Sequence, residues 1–99
     1  MTEEQLMAFL SVHETVEGQV RQLLSLGAHL RFDQKEQEIV VVGPRIGLPA
    51  GTLMELARVP FKPEAMLEER QYAARLLVIT ANRALLGRRP MLGLPQPEE

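Results

Sequence analysis

Apolar positions at the start of the chain recur with the spacing of a helix face. Leu6, Phe9, His13, Val16, Val20 and Leu23 alternate steps of three and four, and Leu10 and Leu24 widen the stripe. The pattern predicts one amphipathic helix over residues 3–26. Thr2 is placed to cap it, Glu3 and Glu4 complement its positive end, and Gly27 is placed to stop it. His13 falls within the stripe, where a structural role is the expectation. Glu17 at i+4 and the lack of a second His on this segment argue against a metal site.

The pattern then changes to period two. Leu30 and Phe32 alternate with His29, Arg31 and Asp33, the polar stretch 34–37 reads as a turn, and Ile39, Val40, Val41 and Val42 form a second strand that is apolar on both faces. A hairpin over residues 28–43 follows. Its second strand requires cover on both sides, and with only two strands that cover would include a partner chain. Gly43, Pro44, Gly47, Pro49 and Gly51 mark a loop without the Lys-Ser/Thr of a phosphate-binding loop. Pro49 suits a first helical turn, and Leu53, Met54 and Leu56 predict a short helix over residues 49–58, stopped by Val59 and Pro60. Pro63 opens a last, long helix reaching about Leu86.

That helix is apolar nearly all the way round, with Leu76, Leu77, Val78 and Ile79 consecutive among alanines. A chain of 99 residues has little material to surround such a helix. The expectation is therefore a homodimer, with Tyr72, Leu76, Leu77 and Ile79 at its interface. The sequence thus predicts an α+β domain over residues 1–87, of order αββαα with long first and last helices and a central β-hairpin. Residues 88–99, with Pro90, Pro95 and Pro97, read as a flexible tail.

Composition narrows the function. There is no Cys, so disulfides, thiol chemistry and Cys-based zinc sites are excluded. Ser11 and Ser25 belong to no recognisable triad, and His13-Glu14 lacks the second His of a zinc-binding helix. No catalytic or metal residues are assigned and no cofactor is implied. The acidic start lacks the order of a signal peptide and no apolar run is long enough to span a bilayer, so a cytoplasmic protein is expected.

The net charge of −2 hides an asymmetry. Residues 1–20 carry Glu3, Glu4, Glu14 and Glu17 with no Lys or Arg, whereas residues 70–90 carry five Arg and no acid. Arg83, Arg88 and Arg89 could contact nucleic acid through phosphates, giving an alternative role as a nucleic-acid-associated or mobile-element regulator. A pI near 5.7 and few aromatic residues weigh against that alternative.

Several short motifs carry a resemblance. Leu24-Ser25-Leu26-Gly27-Ala28-His29-Leu30-Arg31-Phe32, then Glu38-Ile39-Val40-Val41-Val42-Gly43-Pro44-Arg45, then Leu48-Pro49, then Phe61-Lys62-Pro63-Glu64-Ala65-Met66-Leu67 resemble the tubulysin-type N-terminal docking domains at the front of nonribosomal peptide and polyketide synthetase subunits. The match spans roughly half the chain, and its motifs are short. The resemblance implies an αββαα fold, homodimerisation and capture of an acidic partner peptide along the hairpin. On that basis Ile39, Val40, Val41 and Val42 would bind the peptide, with Arg31 and Arg45 as charge partners. The function expected from the sequence is a non-enzymatic docking or adaptor module.

Overall fold

The computed structural model describes residues 1–12, 14–44, 49 and 51–86. His13, Arg45 and the tail at 88–99, on which expectations were placed, lie outside the described residues. The order of elements is α1 (Glu3–Leu10), α2 (Glu14–Ser25), β1 (His29–Asp33), β2 (Glu38–Gly43), β3 (Met54–Pro60) and α3 (Leu67–Leu86). The α+β class holds, but the order is ααβββα.

The predicted first helix is two helices. Thr2 caps α1 through a reciprocal pair: its Oγ1 accepts from Gln5 N at 3.2 Å, and Gln5 Oε1 accepts from Thr2 N at 2.8 Å. At Ser11 the backbone leaves the helical region (φ −82°, ψ 53°), its N–H bonding Ala8 O and its hydroxyl donating to Met7 O. This closes α1 without any Gly or Pro. The helices then serve different neighbours. Glu3 of α1 accepts from the Leu30 N–H at 2.8 Å, capping the free edge of β1. In α2, Val16, Val20 and Leu23 enter the core. Gly27, at φ +100°, ends α2 in a Schellman motif, with Ala28 N bonded to Leu23 O and Gly27 N to Leu24 O.

The β1–β2 hairpin pairs as expected, from His29 with Val42 to Asp33 with Glu38. The Asp33 carboxylate accepts from the backbone of Lys35 and Glu36, and Gln37 takes φ +56°, so side-chain chemistry replaces the missing Asn-Gly turn. The segment predicted as a helix at 49–58 contains no helix among its described residues. Its latter part is β3, which pairs antiparallel with the other side of β2 in a sheet ordered β1-β2-β3. The cause is tertiary demand: β2 needs hydrogen-bonding partners on both edges, and the strand that satisfies the second edge comes from the same chain. A register shift at Val41/Val42 puts both Leu56 and Ala57 among the core residues, which hides the period-two pattern of β3. The shift also brings Leu56 over Gly43. A Cβ on Gly43 would lie 3.0 Å from Leu56 Cδ1 and 3.3 Å from Ala28 Cα, so only glycine fits without displacement.

One face of the sheet, with Leu30, Ile39, Val41, Ala57 and Val59, packs with α1, α2 and the inner side of α3, where Ala74, Leu77, Val78 and Ala81 are buried. The other face carries Arg31, Val40, Val42, Glu55 and Arg58. No described helix is long and apolar enough to cross a membrane.

Candidate interaction surface

The residues of α3 divide sharply by helical position. Ala74, Leu77, Val78, Ala81 and Leu85 face the core. Opposite them, Tyr72, Leu76 and Ile79 recur at steps of four and three and stay 69%, 45% and 49% exposed. An apolar row of this length on a solvent-facing helix side is the feature that a monomer has least use for. Leu77 does not belong to it. At 1% exposure it is a core residue, which corrects its assignment to a dimer interface.

Beside Tyr72 and Leu76 lies a groove of about 400 Å³, walled by Phe9, Val59, Pro60 and Ala73. Lys62, Glu68, Glu69 and Arg70 supply its charges. The chain turn before α3 builds the far wall. Phe61 N donates to Gln37 O at 2.9 Å, which seats the Phe61 ring 4.6 Å from Phe9 and 5.4 Å from Phe32. Arg70 stacks over Phe9 at 4.6 Å and donates to the Phe9 carbonyl at 3.3 Å, with its Nε buried and unpartnered. Sequence reasoning missed this aromatic and guanidinium cluster. Its members come from four separate segments, and only the fold brings them together.

The hairpin residues are placed differently from the expectation. Ile39 and Val41 are in the core, and Val40 is buried on the outer sheet face between Arg31 and Arg58. Val42 is half-buried on that same outer face. Because β2 is the central strand, both of its edges are paired, and β2 itself offers no exposed edge for peptide addition.

Arg58 organises the outer face. Its guanidinium reaches Glu55 through two bonds (2.8 and 2.6 Å), Glu38 at 2.6 Å and Asp33 at 3.1 Å. The backbone N–H of Glu36, then Arg58, hold the Asp33 carboxyl below its ordinary range, and the bidentate Arg58 contact does the same for Glu55. These folded-state values are depressed, so the stabilisation they report is present above the unfolded values and is lost as pH falls through the folded ones. Urea midpoints should therefore drop as pH is lowered below about 4, and an Arg58→Ala variant should show a flatter acid dependence. An identical acid profile in that variant would mean that the network adds nothing.

Of the basic residues assigned to nucleic acid, Arg83 lies exposed in the last turn of α3, and Arg88 and Arg89 are outside the described residues. The described residues hold no group of three or more His, Asp or Glu able to bind a metal. No family model, curated protein or solved structure matches the chain. The likeness to the docking domains accordingly rests on the quoted motifs alone.

Proposed function

We propose that the protein is a small non-enzymatic interaction module, of docking or adaptor type, that assembles with a second copy of itself through the outer side of α3. The observation that carries this reading is the exposed row Tyr72, Leu76 and Ile79 beside an apolar groove. Burying such a row releases roughly 25 cal/mol for each Å² of apolar surface removed from water, and the row lies on a rigid helix that loses little entropy on association. The surface invoked is the outer side of α3 and not an edge of β2, which is paired on both sides.

Light scattering over a range of concentrations tests the reading. The wild-type chain should pass from monomer to dimer as concentration rises, while Leu76→Glu, folded by circular dichroism, should remain monomeric. A wild-type chain that is still monomeric at hundreds of micromolar would overturn it.

A further inference from the structure

We infer that the second copy binds with its α3 antiparallel, so that Arg83 of each protomer faces the acidic first turn of α3 in the other. The inference rests on the self-association proposed above and adds its orientation and the charges that select it.

The exposed side of α3 has a repeat that continues past the apolar row. Glu69, Tyr72, Leu76, Ile79 and Arg83 follow steps of three, four, three and four, all on the solvent side of the helix. That is the spacing by which one helix seats against another over two heptads. The ends of the seam carry opposite charge, with Glu68 and Glu69 in the first turn and Arg83 in the last. Among the described residues, none of these three has an ion-pair partner.

Orientation follows from where those charges would fall. In a parallel pair the seam sets Glu69 against the partner's Glu69 and Arg83 against the partner's Arg83, so like charge meets like at both ends. An antiparallel pair with Leu76 opposite the partner's Ile79 sets Arg83 opposite the partner's Tyr72, one helical turn from the partner's Glu69. The guanidinium then meets a ring face, with a carboxylate one turn along the partner helix and within the span of the long Arg side chain. A twofold axis repeats the same contacts at the far end, so one surface suffices for both copies. The helix dipoles also oppose one another in this arrangement. A different partner would need to match an acidic-to-basic gradient along about 20 Å of helix, and a second copy reversed end to end does so by symmetry.

Charge reversal tests the orientation. One variant carries Glu68→Arg with Glu69→Arg, and the other carries Arg83→Glu. All three positions are exposed, and folding is checked by circular dichroism. Each variant alone should self-associate at least about tenfold more weakly than wild type, because reversal sets like charges face to face. Mixed in equal amounts and read by native mass spectrometry, the two should recover a heterodimer of about wild-type affinity. A parallel pair already holds like charges together, so single reversals would not weaken it, and that result overturns the inference. So does failure of the mixture to recover. If Leu76→Glu abolishes the dimer while both reversals leave it unchanged, the orientation falls and the self-association stands. If wild type never dimerises, both fall.

Discussion

Leu77→Ala is expected to remove about 2–5 kcal/mol of folding stability, while Leu76→Ala, one residue earlier, leaves the isolated fold almost unchanged. The residues are chemically identical neighbours, so only their placement separates them. Leu77 is 1% exposed among Ala74, Val78, Ala81 and the inner face of the sheet, and truncating it leaves a cavity that rigid strands cannot close. Because a small domain has about 5–15 kcal/mol in total, a loss of this size lowers the urea midpoint severely. Leu76 is 45% exposed and lies outside the core cluster, so its truncation opens no buried cavity. Its truncation should act on association instead, appearing as a smaller rise of melting temperature with protein concentration. Urea unfolding at low concentration measures the first effect free of the second. Similar losses for both variants would mean that α3 is rotated from the position described.

The second large effect is expected in β2. Val41→Lys should prevent folding, and Val42→Lys should be tolerated. Val41 is held between Leu30 and Ala57 with its side chain in the core, and a Lys there would have to bury an unpaired ammonium. Val42 lies on the outer face opposite His29 and Glu55, where an added cation meets a carboxylate across the strands. Circular dichroism and urea unfolding of the two variants decide the matter. A folded Val41→Lys protein would contradict the central position of β2.

These two contrasts also show what the sequence made legible. The hairpin could be read because Leu30 and Phe32 alternate cleanly with polar neighbours, and Gly27 could be read because αL geometry at a helix end favours glycine. The Thr2 cap followed from the same local chemistry. The break at Ser11 could not be read. Periodicity reports which side of a helix is buried, not whether the helix is continuous, and in the sequence Leu6, Phe9, His13, Val16, Val20 and Leu23 keep steps of three and four across a break that contains neither Gly nor Pro. The strand β3 was hidden for a different reason. Leu56 and Ala57 are consecutive and both belong to the core because of the register shift, so the alternation that marks a strand survives only from Ala57 to Pro60. The clue lay in β2, whose apolar character on both faces required cover that a two-stranded sheet lacks. That cover was assigned to a partner, whereas the chain itself adds a third strand at the second edge of β2, which leaves Val40 buried between the cross-strand neighbours Arg31 and Arg58.

Of the four α3 residues assigned to a dimer interface from the sequence, three are exposed and one is buried. Tyr72, Leu76 and Ile79 are exposed as a dimer interface would need, whereas a continuous apolar run cannot by itself reveal that Leu77 turns inward. The side a residue faces depends on where the neighbouring strands and helices pack, and that information is not local. Arg70 and the phenylalanines around it were missed for the same reason. Arg58 was also missed, because its three carboxylate partners come from three different strand positions.

The central claim is that two copies meet through the outer side of α3, and amide and methyl NMR over a dilution series tests it most directly. As concentration rises, signals of residues 68–83, above all the Leu76 and Ile79 methyls, should shift together along one binding curve, while Arg31, Val42 and Glu55 on the outer sheet face stay fixed. Shifts confined to the sheet face, or spectra unchanged at every concentration, would contradict it.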